Sequence, residues 1–339
     1  MEDFEKQIYS EIEYCHSLLS TNDSVQLRLD LTNLYFLCHI LQFHNRPINL
    51  KFLLSKLIDT SFFNFFKKYL QDSKNIELIN LYTSFFKEIN IDTELKSDFK
   101  KKFSIEDAKD ITSDFFEYFN PQYYDSFDNI NEDLIILNPN HYGYREFSGT
   151  VLGGYSNYTK PRIVLVDLQN INTCITLAHE LSHVADFAIN RRLSNQKYKN
   201  KLLSMTHEIN SYYTELCFYD YLSKQYPHDI ELCFKNFDIF FFDFSEYLEL
   251  LFNSTKSSII KFLKTYDEYI DTQRDVNGRM IAYILYSLND IEKSNYICNR
   301  IITDIHSISL RDILIKEGIN LDDYSSHEKV FNLIKKHWN

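Results

Sequence analysis

The 339-residue chain is long enough to bury a sizeable core, as one large domain or two modest ones. Its formal net charge of −12 argues against a general nucleic-acid binder, because neutralising phosphates requires a basic surface. Only six glycines and five prolines are present, which favours long helices over a many-stranded sheet. The composition therefore predicts a mainly α fold.

The N-terminal part of the chain has the pattern of successive helices. Four segments carry apolar residues at helical spacing: residues 2–20, 23–44, 49–71 and 74–90. A further helix is predicted over residues 104–119, where Ser104 and Asp107 form an imperfect capping box and Pro121 follows the end. We interpret residues 1–130 as an N-terminal helical region.

The pattern then changes to short β-branched runs. Residues 133–140 and 161–168 are predicted strands of a small sheet, and the segment between them contains four of the six glycines. Helical spacing returns after Asn172 and continues nearly to Trp338. We interpret residues 131–339 as a second region, with a soft boundary that also permits one integrated domain.

Targeting and redox signals are absent from the sequence. The N-terminus lacks the basic and apolar regions of a secretion signal, and the most apolar stretch, residues 237–252, contains four acidic residues. We therefore expect a cytoplasmic protein that does not span a membrane. The cysteines are dispersed among apolar residues and are predicted to be reduced core thiols: Cys15, Cys38, Cys174, Cys217, Cys233 and Cys298.

The segment TCITLAHELSHVADFAINRR, residues 173–192, contains an HExxH pattern at His179, Glu180 and His183. On a helix the two histidines project from the same face one turn apart, so both imidazoles reach a single ion at about 2.0–2.1 Å. Glu180 lies beside them, within reach of a metal-activated water. The alternative interpretation is a polar helix face that binds no metal.

The residues around the pattern support a buried helix. Asn172 is the predicted N-cap. Four apolar residues are predicted on the packed side: Ile175, Ala178, Leu181 and Ala185. Asp186 shares the stripe of the two histidines, where it either orients a ligand or is solvated.

A catalytic zinc also needs a third protein ligand and an open position. The next predicted helix, residues 206–222, presents Glu208 and Glu215 on one stripe with Ser211 and Tyr212 between them. Glu208, Glu215 and His207 are the candidates, although His207 points about 100° away from Glu208 on a helix.

The stretch GGYSNYTKPRIVLVDLQNINTCITLAHELSH, followed by HEINSYYTE, resembles the catalytic core of the thimet oligopeptidase and oligopeptidase F metallopeptidases. In that family a Gly-Gly-Tyr loop and an edge strand precede a TLAHELGH helix, and a Glu-x-x-Ser-x-x-x-Glu helix follows. The matching residues are Gly153, Gly154, Tyr155, Thr176 to Leu181, His183, Glu208, Ser211 and Glu215. The resemblance extends more weakly over residues 104–290.

The resemblance implies a helical, two-lobed, zincin-like fold with a small antiparallel sheet beside the active-site helix. It implies one zinc ion per chain, with Glu208 as the third ligand. The chain departs from the family in its short length and in having Ser182 where the family has glycine. The family's tyrosines before Gly278 are also missing, and Tyr266 and Tyr269 are the candidate substitutes.

The expected function is that of a zinc endopeptidase or oligopeptidase that cleaves short unstructured peptides with Glu180 as the general base. Residues 161–168 would hold the substrate backbone by β-addition, and Gly153, Gly154 and Tyr155 would contact it. Residues 1–130 would form one wall of the cleft. The alternatives are a peptide-binding scaffold that has lost turnover, and a protease dedicated to one peptide or protein. The oligomeric state is not predicted.

Overall fold

The computed structural model describes residues 84–85, 88–89, 99–125, 134–137, 163–166, 168–193, 205–253, 278–304, 308, 310–321 and 323–338. Its helices are α1 Ile105–Phe119, α2 Pro121–Tyr124, α3 Ile171–Leu193, α4 Met205–Ser223, α5 Pro227–Asn253, α6 (residues 278–287), α7 Ile291–Asp304, α8 Leu310–Lys316 and α9 Tyr324–Trp338. The strands are β1 Leu134–Leu137 and β2 Ile163–Val166. This part of the chain is mainly helical, as the composition predicts.

Most of the predicted N-terminal helices lie outside the described residues. Of residues 2–90, only 84–85 and 88–89 are described, and there Phe85 stacks on Phe331 of α9 with the ring centroids 4.3 Å apart. Because α1 packs directly against α3, the described residues on both sides of the predicted boundary after residue 130 share one core. The division into two regions stays a prediction.

Helix α1 begins and ends where the sequence predicts. The Ser104 hydroxyl accepts a hydrogen bond from the Asp107 amide, and the Asp107 carboxylate accepts one from the Ser104 amide, so the capping box is complete. Asn120 then caps α2, whose first residue is Pro121. One face of α1 is buried at helical spacing: Ile105, Ala108, Thr112, Phe115, Phe116 and Phe119.

Helix α3 is the centre of the described core. It contacts α1, α2, α4, α7 and β2. The predicted packed side is confirmed, because four residues are buried there: Ile175, Ala178, Leu181 and Ala185. The neighbouring helix α4 runs antiparallel to α3, since His179 meets Glu215 whereas the later residue Asp186 meets the earlier residue Asn210.

The predicted N-cap of α3 is wrong by two residues. The side chain of Asn170 accepts the amide of Asn172 at 2.9 Å, which is the role of a cap. Asn172 already lies in the first turn, and its carbonyl accepts the Thr176 hydroxyl at 2.6 Å. Gln169, directly before the cap, has a φ of 54°, which lies in the left-handed region and is not helical.

The two strands pair in parallel, so the predicted antiparallel arrangement is wrong. Leu134 lies opposite Ile163 and Leu137 opposite Val166. A parallel pair needs a crossover of about a dozen or more residues, which the long segment between β1 and β2 supplies. The antiparallel expectation came from the family resemblance, and nothing in two short apolar runs distinguishes the two directions.

The described cysteines agree with the prediction of reduced thiols. Cys174, Cys217, Cys233 and Cys298 are free, and all except Cys217 are fully buried. Cys15 and Cys38 lie outside the described residues. Within the described ranges, no helix has both the length and the apolar composition that a membrane crossing requires.

The C-terminal end of α9 is anchored on α5 by a buried carboxylate. Asp238 accepts hydrogen bonds from the Tyr283 hydroxyl of α6 at 2.5 Å and from the Trp338 indole at 3.2 Å. His337 Nδ1 lies 2.9 Å from the same carboxylate and its ring stacks on Phe234. These contacts join α5, α6 and α9.

A second buried carboxylate joins α2, α3 and α4. Asp186 is completely buried and accepts hydrogen bonds from the Tyr123 hydroxyl at 2.7 Å and from Asn210 Nδ2 at 3.0 and 3.1 Å. We call Tyr123, Asp186 and Asn210 the Asp186 bridge. A solvated position for Asp186, one of the two sequence interpretations, is therefore wrong. Burial raises the pKa of Asp186 to about 8, although the hydrogen bonds from Tyr123 and Asn210 lower it.

The raised pKa predicts a pH dependence of folding stability that comes from Asp186. Between pH 3.8 and about 8, Asp186 is protonated in the folded state but ionised in the unfolded state. The free energy of unfolding therefore decreases as pH rises through this window. The stabilisation that is fully present below pH 3.8 is lost above about pH 8. Relative to wild type, Asp186→Asn should gain up to about 1.4 kcal/mol of unfolding free energy per pH unit across this window. Denaturant unfolding of the two proteins in chelator measures the difference. A difference that does not change with pH would contradict this prediction.

Candidate metal centre

Three potential metal-binding atoms converge between α3 and α4. His179 Nε2 lies 3.1 Å from His183 Nε2, as expected for two histidines one helical turn apart. Glu208 Oε2 approaches from α4, at 3.5 Å from His179 Nε2 and 3.8 Å from His183 Nε2. The structure therefore brings together both histidines of the HExxH pattern and the predicted third residue.

The spacing of these atoms fits a tetrahedral metal ion. Ligands bound to zinc at about 2.0–2.1 Å with tetrahedral angles lie about 3.3–3.4 Å from one another. The three observed separations, 3.1, 3.5 and 3.8 Å, lie around that value. Two imidazole nitrogens and one carboxylate oxygen are also a donor set that zinc accepts, so the residues fit this ion.

Glu180 lies at the edge of the same cluster. One of its carboxylate oxygens is 3.9 Å from His179 Nε2, and the side chains of Glu180, His179 and His183 offer potential ligand atoms within 4.8 Å of one another. Burial raises the pKa of Glu180 to about 7, with the Glu208 and Glu215 carboxylates adding to the effect and His179 opposing it. Its carboxyl group thus offers a further potential ligand atom beside the two histidines, in addition to Glu208.

Glu215 supports His179 from the side opposite the three converging atoms. Its Oε1 lies 2.5 Å from His179 Nδ1, and the Tyr219 hydroxyl donates to its Oε2 at 2.9 Å. A carboxylate accepts from Nδ1–H, which leaves Nε2 with the lone pair that a metal requires. Sequence reasoning considered Glu215 only as a competing ligand. Its position two turns after Glu208 was the available signal for this role.

The electrostatics of the pocket favour a positive charge next to His179 Nε2, carried either by a proton or by a metal ion in its place. Burial by itself lowers the pKa of the imidazole, but Glu208 and Glu215 outweigh burial and raise the pKa well above its ordinary value. Glu180 contributes in the same direction. Three carboxyl groups around two imidazoles therefore form a site that favours a bound cation.

Helix α6 approaches the site closely behind Glu208. A Cβ atom added at Gly278 would lie 3.0 Å from Glu208 Cβ and 3.2 Å from the Tyr212 ring, so any other residue would require these side chains to shift by a few tenths of an ångström. The Tyr212 ring in turn contacts the His179 ring, with the centroids 5.3 Å apart. Arg279 lies between the Tyr212 and Phe237 rings, at 4.1 and 4.2 Å from their centroids.

Gly278 and Arg279 were not identified as site residues from the sequence. Gly278 was noticed only as part of a weak family-like pattern, and the pattern does not say which side chain it faces. Ser182, the departure from the family's glycine, is accommodated within the helix because its hydroxyl donates to the His179 carbonyl at 2.6 Å.

Several predicted site residues are not placed. The predicted substrate contacts lie outside the described residues: Gly153, Gly154, Tyr155, Tyr266 and Tyr269. The backbone of His207 is in α4, but its side chain is also outside the described set.

Comparisons of the chain with protein-family models, with curated proteins and with solved structures found no match. The resemblance to the thimet oligopeptidase family therefore rests on the residues quoted above and stays a prediction.

The choice of third ligand generates a direct test. Glu208→Ala should weaken zinc binding strongly because it removes one of three donor atoms, whereas His207→Ala should change zinc affinity only mildly. Competition with a chromophoric chelator measures both variants against wild type. If His207→Ala loses the metal and Glu208→Ala keeps it, the assignment of Glu208 is wrong.

The contact between Glu215 and His179 generates a second test. Glu215→Gln keeps the size of the side chain but removes the charge that supports the imidazole, so zinc affinity should fall by about 10–100-fold. Tyr219→Phe, which removes only the hydrogen bond to the other oxygen of Glu215, should have a smaller effect. The same chelator competition measures both. An unchanged zinc affinity in Glu215→Gln would contradict a supporting role.

Proposed function

We propose that this protein is a zinc-dependent metallopeptidase. The observation that carries the proposal is the convergence of His179 Nε2, His183 Nε2 and Glu208 Oε2, at separations near those of a tetrahedral zinc site, with Glu180 beside them. The residue order, HExxH on one helix and a glutamate on the next, is the arrangement of zinc peptidases that use two histidines and one glutamate.

In this proposal His179, His183 and Glu208 hold one zinc ion per chain. When bound, zinc supplies Lewis acidity, which polarises the scissile carbonyl and makes water a nucleophile near neutral pH. Glu215 keeps the proton of His179 on Nδ1 and so keeps Nε2 available. The packing of Gly278 against Glu208 and of Tyr212 against His179 limits the movement of these two ligands.

Glu180 acts as the general base. Its carboxylate takes a proton from the attacking water and returns the proton to the departing amine. The short distance between Glu180 and the two histidines supports this role. A glutamate in this position also favours hydrolysis over a scaffold function, because a protein that only binds peptides has no use for a base beside the metal.

Short unstructured peptides are the proposed substrates, and the cytoplasm is the proposed location. Both, together with a two-lobed zincin-like fold, come from the family resemblance and from the sequence. Strand β2 lies next to α3, which supports placing an extended peptide along this strand, close to the metal centre. Turnover of many peptides and processing of one dedicated peptide use the same chemistry, so the reaction itself does not distinguish them. The range of peptides that are cleaved does.

The decisive experiment compares wild type with Glu180→Gln. Both proteins should carry close to one zinc, because Glu180 is not a ligand. Cleavage of an unbiased peptide library, followed by mass spectrometry, should fall by at least about 10²–10⁴-fold in the variant, since glutamine cannot accept the proton. Glu117→Gln, an exposed change of the same kind on α1, is the matched control and should keep full activity.

Three outcomes would contradict the proposal. Protein purified without chelators that contains no zinc, and takes up none on reconstitution, would refute the metal site. Equal cleavage by wild type and Glu180→Gln would assign the activity to a contaminant or to another site. Tight peptide binding with no cleavage by either protein would favour the scaffold function.

A further inference from the structure

We propose that the Asp186 bridge positions Glu208 for metal binding by fixing the first turn of α4 against α3. Tyr123, Asp186 and Asn210 would thus be positioning residues that act through Glu208. This inference rests on the proposed function, because it assigns a purpose to the bridge only if Glu208 is a metal ligand.

Glu208 lies where a helix is least well held. It is in the first turn of α4, which begins at Met205. The first turn of a helix has amide groups without intrahelical partners, and helix ends fray. The other two proposed ligands, His179 and His183, belong instead to the middle of α3. The position of Glu208 is therefore the one that needs additional support.

Asn210 provides that support only two residues after Glu208. Two residues correspond to a rotation of about 200° around a helix, so Glu208 and Asn210 leave α4 on nearly opposite sides. Contacts on two sides of α4 oppose rotation of the helix about its axis in both directions, and they act at its N-terminal end, away from the Glu215–His179 contact. Asn210 is buried, and its Nδ2 donates to both oxygens of Asp186.

Asp186 is well placed to receive this contact. It lies three residues after His183 on α3, so the bridge ties α4 to the same helical segment that carries the histidines. The Tyr123 hydroxyl also donates to Asp186 and lies 3.1 Å from Asn210 Nδ2, which connects the short helix α2 to both partners. The Asp186 side chain thus links α2, α3 and α4 next to the metal centre.

A purely apolar contact would stabilise the helix pair without this directional control. Burying Asp186 is costly, as its raised pKa indicates, and an apolar residue of similar volume at such a position is often neutral or stabilising. Hydrogen bonds with fixed directions instead select one rotation of α4. The expected benefit of the bridge is therefore geometric.

The test measures zinc affinity in variants that break and rebuild the bridge. Asn210→Leu and Asp186→Leu remove the hydrogen bonds at similar side-chain volume, and each should weaken zinc binding by about 10–100-fold. The double variant Asp186→Asn with Asn210→Asp exchanges the amide and the carboxylate, and should recover affinity to within about threefold of wild type, in contrast to the loss in the single variants. Tyr123→Phe should have an intermediate effect.

Tyr283→Phe is the matched control for general destabilisation. It removes a buried hydrogen bond of the same kind, from a tyrosine to the Asp238 carboxylate of α5, and neither residue belongs to the metal centre. It should lower thermal stability without changing zinc affinity. Absorption of Co²⁺-substituted protein gives an independent readout, because its d–d bands respond to ligand geometry and should change in Asn210→Leu but not in Tyr283→Phe. If Asp186→Leu does not fold, Asn210→Leu and the exchanged pair carry the comparison.

The outcomes separate this inference from the proposed function. Wild-type protein that binds no zinc would overturn both. Wild-type protein that binds zinc, with bridge variants that bind it equally tightly, would overturn the positioning role alone. Loss of affinity in the single variants without recovery in the exchanged pair, or an equal loss in Tyr283→Phe, would also overturn it.

Discussion

The antiparallel packing of α3 against α4 is the contact on which the rest of the described structure depends. Helix α3 carries two histidines and a glutamate on one side, and an aspartate about one turn further along. Helix α4 supplies a partner for each: Glu208 and Glu215 for the histidines and Asn210 for Asp186. Within the described residues, the imidazoles and carboxylates of the candidate site are therefore all carried by one helix pair.

This arrangement concentrates unfavourable electrostatics in a small volume. Glu180, Glu208 and Glu215 lie close together, and burial raises the pKa of Glu180 while the carboxylates raise that of His179. Such a cluster is costly for folding and is characteristic of functional sites, where pKa values depart from their usual range. A divalent cation would offset the repulsion among the carboxylates. On the α6 side of the cluster, Gly278 packs closely against Glu208, and the Arg279 guanidinium lies over the Tyr212 and Phe237 rings.

Much of the local structure was predictable because it depends on residues near in sequence. The capping box at Ser104, the end of α1 before Pro121 and the buried stripe of α3 follow from backbone hydrogen bonding and helical periodicity. The predicted N-cap of α3 is two residues late, since the apolar pattern does not distinguish Asn170 from Asn172 as the cap. The direction of strand pairing was also wrong, because short apolar runs fit parallel and antiparallel partners equally.

The sequence by itself determined the chemistry available to this protein: two histidines and a glutamate on one helical face, and a second helix with glutamates two turns apart. Those relations are set by the 3.6-residue period of the helix, which needs no knowledge of the fold. Only the tertiary structure decided which glutamate faces Nε2 and which faces Nδ1 of His179, that Asp186 is buried against Asn210, and that α6 approaches Glu208 at a glycine. These facts depend on the rotation and separation of packed helices, which arise from side-chain volumes distributed over the whole core.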